Sequence, residues 1–181
     1  MKTHAKMVIL DRDGVINVDT EDFIRSPADW IAIPSSLEAI AKLNNAGYKV
    51  VIATNQSGIA RGYFDEYDLK AIHHKMKKAI EEAGGHIDFI AHCPHGPDDG
   101  CTCRKPLPGL LDQIEAHYHC SLEDVPFVGD SLRDLQAAEA HGAQPILVKT
   151  GNGLKTKANP DFNQQTPTYD DLASFVSDFL A

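Results

Sequence analysis

Short apolar runs alternate along this chain with stretches of helical period. Met7–Leu10 is an unbroken apolar run of strand length, and Lys49–Ala53, Ile87–Ala91, Pro126–Gly129 and Pro145–Val148 repeat the pattern with many β-branched residues. Between them the apolar positions recur every three to four residues. Leu37, Ile40, Ala41 and Leu43 predict a helix opened by a Ser35-Ser36-Leu37-Glu38 capping box and stopped near Gly47. Asp65 predicts the cap of a long amphipathic helix ending at Gly84-Gly85. Further helices are expected from Pro108 to about Tyr118, near Leu132–His141, and from about Tyr169 to Leu180. Strands alternating with helices predict an α/β fold with a mainly parallel central sheet and helices on both faces. Val18–Ile33 lacks helical period and is expected to form a hairpin or flap.

Length and composition narrow this little further. The 181 residues suit one domain with a sizeable core, and 43% hydrophobic with 24% charged residues is ordinary for a globular protein. The apolar run after the N-terminal lysines is too short for a signal peptide and no stretch approaches membrane-spanning length, so a cytoplasmic protein is expected. The formal charge of -9 opposes nonspecific nucleic-acid binding. An anionic substrate must then be held by local lysines and arginines.

The chemistry gathers at the expected carboxyl ends of strands, where open α/β sheets bind ligands. Asp11-Arg12-Asp13-Gly14-Val15 follows the first run directly. Alternation along a strand lets Asp11 and Asp13 share one side while Arg12 points away, and Gly14 permits a sharp turn. Two close carboxylates need a cation, which suggests Mg²⁺, phosphate and a nucleophilic aspartate. A plain surface turn also fits the pentapeptide. A calcium loop does not, since it would need a polar residue at Val15 and glycine at Ile16. Thr54-Asn55-Gln56-Ser57-Gly58 ends the second strand with a hydroxyl, amides and N–H groups suited to phosphate oxygens, or with a helix cap. Lys105 precedes a helix-initiating proline region, and Asp130 and Asp134 close another strand as a cap or a second Mg²⁺ anchor.

Cys93-Pro94-His95, five residues, then Cys101-Thr102-Cys103 offers three thiolates and an imidazole at zinc-ligand spacing. His92 is a possible substitute ligand, and a disulfide is the alternative, disfavoured where thiols stay reduced. A fully ligated zinc would be structural, stiffening the loop that delivers Arg104 and Lys105. Cys120 is expected to be a small buried residue, Trp30 a core or flap anchor, and His73, His74, His117 and His119 solvated or capping groups. The Lys149–Gly153 loop lies after the last long strand and is assigned no role.

Taken in order from Asp11 to Asp134, these segments resemble the four motifs of the haloacid dehalogenase-like phosphatase superfamily. The resemblance covers most of the chain and implies a Rossmann-like haloacid dehalogenase fold. It implies Asp11 as nucleophile, Asp13 as acid and base, Thr54 and Lys105 as phosphoryl-binding groups, and Mg²⁺ held by Asp11, the Asp13 carbonyl and Asp130, with Asp134 farther out. An aspartate at position 13, where related transport ATPases carry threonine, implies hydrolysis and not pumping. The intervals between motifs leave no room for a large cap domain, so a single domain over 1–181 with a zinc loop at 92–104 is expected.

Within the superfamily, Asp11–Asn17, Thr54–Gly62 and Cys103–Pro106 look most like the D-glycero-D-manno-heptose 1,7-bisphosphate 7-phosphatase family, with the histidinol-phosphate phosphatases as the alternative. That likeness implies removal of the 7-phosphate of a heptose bisphosphate in ADP-heptose and lipopolysaccharide core biosynthesis. It implies substrate contacts from Asn17, Asp19, Thr20, Glu21 and Asp22 in the flap, from Thr54, Asn55, Gln56 and Ser57, and from Arg104 and Lys105. The partner expected is a small phosphorylated sugar, with no nucleic acid or membrane, and the chain is expected to be a monomer. A compact zinc loop and Ser131, where some heptose members have lysine, depart from the pattern. A zinc-stabilised binding protein without turnover is the reading from another class.

Overall fold

Six parallel strands run in the order β3-β2-β1-β4-β5-β6, so consecutive strands step outward from β1 in one direction, then resume from β4 in the other. The computed structural model describes residues 5–181; the first part of the N-terminal segment read as too short for a leader lies outside them. The strands are β1 (Met7–Leu10), β2 (Lys49–Asn55), β3 (Phe89–Cys93), β4 (Pro126–Gly129), β5 (Gln144–Val148) and β6 (Thr168–Tyr169). Among them run helices α1 (Pro34–Asn45), α2 (Glu66–Glu82), α3 (Gly109–Tyr118), α4 (Leu132–His141), α5 (Gly153–Lys157) and α6 (Leu172–Phe179). The parallel α/β architecture expected from the alternating pattern is present.

Burial on both faces explains why the strands read as continuous apolar runs. Alternate residues of β1 divide between two cores. Val8 and Leu10 meet α1, α2 and α6 through Ile40, Met76 and Phe175, whereas Met7 and Ile9 meet α3 and α4 through Leu110, Ile114 and Ala138. Trp30 is buried in the first core, as an anchor should be, and Cys120 packs against the second. No helix among the described residues is long and apolar enough to cross a membrane.

Several boundaries differ from expectation for local reasons. Helix α1 opens at Pro34 with Ile33 as its N-cap, not through a capping box at Ser35. Proline is pre-organised for the first helical position, and Ser36 instead donates its hydroxyl to the Val15 carbonyl at 2.6 Å. Strand β3 begins two residues later than its apolar run because the Asp88 carboxylate takes the Val50 N–H at 2.8 Å. The last helix begins only at Leu172, capped by Asp171, since Thr168 and Tyr169 pair with β5 as a short strand. The 18–33 segment is a flap whose base is pinned by Val18 N–H to Ile31 O and Ile33 N–H to Ile16 O, both 2.9 Å, with a 3-10 turn at Pro27–Asp29.

Candidate active site

The strand order reverses between β1 and β4, and a crevice opens beyond their carboxyl ends. Asp11 leaves β1 still bound to β4 through its N–H to Val128 O at 2.9 Å. Asp130 and Asp134 follow β4, and carboxylate oxygens of Asp11, Asp130 and Asp134 all lie within 4.8 Å of one another in buried positions. Burial and the neighbouring Asp134 charge raise the Asp11 pKa well above the usual carboxylate range, against the pull of Lys105. Burial and Asp134 likewise push Asp130 up to about 7. Such crowding is the signature of carboxylates that want a cation, and an all-oxygen set suits Mg²⁺.

Two glycines make room for this cluster. Gly14 has φ +81, and a Cβ there would sit 2.1 Å from Asp130 Oδ2. Gly151 has φ +57, and its Cβ would sit 2.3 Å from the same oxygen and 2.6 Å from Gly14 Cα. Only glycine fits either position. The Asn152 N–H donates to Asp130 Oδ2 at 2.8 Å, and its side-chain amide donates to Asp19 Oδ2 in the flap at 3.0 Å.

Lys105 is almost wholly buried, with all three ammonium protons engaged: Asp134 Oδ1 at 2.5 Å, Ala53 O at 2.8 Å and Asp11 Oδ1 at 3.1 Å. Burial opposes its charge, yet the two carboxylates outweigh this and raise its pKa. Asn55 ties this lysine to β2, accepting from Lys105 N–H at 3.0 Å and donating to Lys105 O at 3.1 Å.

Asp13 stands in a different setting. Arg12, expected to point away, folds back onto it: Nε meets Oδ1 at 2.8 Å and Nη2 meets Oδ2 at 3.1 Å. The turn at Gly14 ends the strand, so alternation no longer governs side-chain direction. Asn17 donates to Oδ1 at 3.0 Å and Gln56 to Oδ2 at 3.3 Å. Burial would raise the Asp13 pKa, but the Arg12 charge and these donors together hold it below its ordinary value.

A cleft of about 200 Å³ faces these groups, lined among others by Asp11, Asp13, Asp19, Thr20, Glu21, Asn55, Gln56, Ser57, Arg104, Lys105 and Asp130. Three expected contacts do not line it. Asn17 is buried against Asp13, Thr54 is buried behind the Gln56 amide at 3.0 Å, and Asp22 is exposed outside the lining. Ser131, Arg133 and Asn152 also line it, although the sequence assigns none of them a contact. Asn152 was discoverable, because it follows a strand at the ligand-binding edge; His73 was not, because helical spacing says nothing of a partner in the turn after β1.

Beside the cleft, ligand atoms of Cys93, His95, Cys101 and Cys103 lie within 4.8 Å of one another. Cys93 Sγ is 3.7 Å from Cys101 Sγ and 3.0 Å from Cys103 Sγ, and His95 Nδ1 is 3.4 Å from Cys93 Sγ and 3.3 Å from Cys103 Sγ. None of these cysteines is in a disulfide. Burial, with a hydrogen bond to Cys103, pushes the Cys93 thiol up to about 12. His92 is not part of the cluster; its Nε2 meets Glu66 Oε2 at 2.9 Å. His73 is neither solvated nor a cap: it is buried against Arg12, with Nε2 3.1 Å from Nη1.

Comparison with known proteins agrees with this arrangement. A profile for HAD-hydrolase-like proteins matches residues 102–175. The D-glycero-beta-D-manno-heptose-1,7-bisphosphate 7-phosphatase of Bordetella bronchiseptica is 55% identical over 97% of this chain and 98% of its own. The enzyme of the same name from Pseudomonas aeruginosa is 53% identical over 96% and 97%. The crystal structure of D,D-heptose 1,7-bisphosphate phosphatase from B. bronchiseptica, complexed with magnesium and phosphate, superimposes with a TM-score of 0.93 at 55% identity, covering 96% of this chain and 97% of that one. With its switch-point carboxylates and buried lysine, the chain belongs to the D-glycero-D-manno-heptose 1,7-bisphosphate 7-phosphatase family of haloacid dehalogenase-like hydrolases.

Proposed function

We propose that this protein is a Mg²⁺-dependent phosphatase that removes the 7-phosphate of D-glycero-D-manno-heptose 1,7-bisphosphate through an aspartyl-phosphate, as a step towards ADP-heptose and the lipopolysaccharide core. The β anomer is the preferred form, as in the names of the relatives more than half identical to it. The observation that carries this reading is the buried group of Asp11, Asp130, Asp134 and Lys105 at the switch point. Asp11, the Asp13 carbonyl and Asp130 would hold Mg²⁺. Bound there, the ion would neutralise the crowded carboxylates and the charge on the phosphoryl oxygens.

Asp11 is the nucleophile. Its Oδ1 is held by Lys105 Nζ at 3.1 Å and the Arg12 N–H at 2.8 Å, leaving Oδ2 to attack phosphorus. The P–O bond to C7 breaks as the new P–O bond forms, and the departing sugar oxygen takes a proton from Asp13. Asp13 rests as a carboxylate, and an arriving phosphate dianion opposes the Arg12 charge and favours the protonated form. Once deprotonated, Asp13 takes a proton from water, which attacks the acyl-phosphate, releases phosphate and restores Asp11. Assistance of this kind is typically worth about 10²–10⁴-fold. Thr54 positions Gln56 from behind, while Asn55 and Lys105 orient the transferring group. Asp19, Thr20, Glu21, Gln56, Ser57 and Arg104 face the sugar; Asn17 and Asp22 serve the site through Asp13 and the flap.

The Cys93, His95, Cys101 and Cys103 cluster is a structural zinc site in a loop, 92–104, within one phosphatase domain spanning 1–181. A tetrahedral centre with Zn–S bonds near 2.3 Å places sulfurs about 3.8 Å apart; the Cys93 to Cys101 separation of 3.7 Å fits that edge, and the Cys93 to Cys103 separation of 3.0 Å would have to open to reach it. Neutral thiols have no reason to gather this way, whereas a dication explains three of them with an imidazole.

The test is phosphate release with Mg²⁺ across the two heptose bisphosphate anomers and histidinol phosphate, for the parent and Asp11→Asn. The β-heptose bisphosphate should give the highest kcat/KM, and the variant should fall to background. Preference for histidinol phosphate overturns the substrate, and an active Asp11→Asn overturns the nucleophile.

A further inference from the structure

Two buried side chains stand behind Asp13. Arg12 has no exposed surface, and among the described residues its one carboxylate partner is Asp13, gripped at both oxygens. Its remaining end, Nη1, lies 3.1 Å from Nε2 of His73, which reaches in from α2. A guanidinium can only donate, so His73 must accept there and carry its own proton on Nδ1. Burial and the Arg12 charge enforce that neutral form, pushing His73 down to about 3.

Resting on the assignment of Asp13 as acid and base, we infer that Arg12 and His73 are positioning residues: His73 fixes the guanidinium, and the guanidinium fixes both Asp13 oxygens against the leaving group. Asn17 and Gln56 each add one bond to an Asp13 oxygen, but only the guanidinium grips both oxygens, as a fork in one rigid plane. The fork works only if its own plane is held. The Arg12 carbonyl is fixed by N–H groups of Val15 and Ile16, and its far end by His73 alone among the described residues. Helix α2, capped by Asp65 and packed through Ile72 and Met76, therefore contributes to proton-transfer geometry without a residue in the cleft.

The experiment compares kcat/KM on an alkyl phosphate, whose leaving oxygen needs a proton, with p-nitrophenyl phosphate, whose leaving group departs without one. The variants are His73→Leu, His73→Gln, Arg12→Lys and Asp13→Asn, each with its metals retained and its melting temperature recorded. Asp13→Asn should lose about 10²-fold more on the alkyl ester than on the aryl ester. For His73→Leu and Arg12→Lys the excess loss should be about tenfold, on the scale of a small misplacement of a reacting group. His73→Gln, whose amide oxygen can accept the same guanidinium proton, should recover most of it.

Damage to the fold alone would lower both activities together. Equal losses in His73→Leu and Arg12→Lys, with Asp13→Asn still discriminating, overturn the positioning role and leave Asp13 as the acid. No discrimination in Asp13→Asn overturns the acid assignment and this inference with it. If His73→Leu does not fold, Arg12→Lys, which keeps the charge and loses the fork, decides the matter.

Discussion

Two aspartates two residues apart have opposite electrostatic surroundings. Asp11 faces two further carboxylates and has its pKa raised, whereas Asp13 faces a guanidinium and has its pKa lowered. Arg12 makes that difference, and it needs a neutral His73 to do so. The imidazole titrates near 6.5 in the unfolded chain and at about 3 in the fold. Its folded pKa is depressed, so the unfolded state binds the extra proton between those values. The stability it contributes is complete above about pH 6.5 and is lost as pH falls towards 3. At pH 5 the loss is about 2 kcal/mol, with about 1.4 kcal/mol for each unit of pH. His73→Gln has no such proton to bind. Urea unfolding at pH 7 and pH 5 should show a stability difference smaller in the variant by about 1–2 kcal/mol, and equal acid sensitivity would contradict the neutral buried imidazole.

At the scale of elements, the site is a meeting of loops held by rigid neighbours. The loop between β3 and α3 starts from Cys93, the last residue of a strand, and delivers Arg104 and Lys105 to the cleft near its far end. If zinc staples it, elemental analysis should find one zinc per chain in the parent and less in Cys101→Ser. The variant should also raise KM by about tenfold, with a smaller change in kcat, since Arg104 faces the cleft mouth while Lys105 is also anchored by Ala53 and Asp134. Full retention of zinc would remove Cys101 from the ligand set. Legibility in the sequence followed the same division. Strand ends such as Asp11 and Asp130 were readable because a buried apolar run must stop somewhere, and its stop is where ligands bind. The four clustered ligands were readable because close spacing leaves little geometric freedom. Contacts between distant elements were not. The Arg12 to His73 contact, the Asn152 bridge from Asp130 to Asp19, and Ser36 on Val15 O join residues whose separation carries no periodic signal. The start of α1 differs because a serine pair imitates a cap two residues too late, after proline has already opened the helix.

At the scale of the whole molecule, a chain of net charge -9 must draw in a substrate with two phosphate groups. The long-range field works against this, but at physiological salt it is screened beyond about 8 Å, so the groups at the cleft decide. Arg104 and Arg133 line it and supply the opposite sign, with Arg61 near Arg104, and among the described residues none of the three is in an ion pair. Burial, then repulsion from Arg133 and Arg61, lowers the pKa of Arg104. Positive charges kept close without carboxylates are held at a cost that an incoming phosphate relieves. Arg133 lines the cleft at the first turn of α4, next to Ser131. Asp19 and Glu21 of the flap line the same cleft and would repel an anion. If the reacting phosphate sits with Asp11 and Lys105, Arg104 and Arg133 are the cleft groups of opposite sign left for a second phosphate. Arg133→Gln should therefore raise KM for the heptose bisphosphate about tenfold more than for a monophosphate, a difference of about 1.4 kcal/mol. Steady-state kinetics on both substrates at constant ionic strength measures it. Equal increases would place the second phosphate elsewhere and leave the arginine cluster without a ligand.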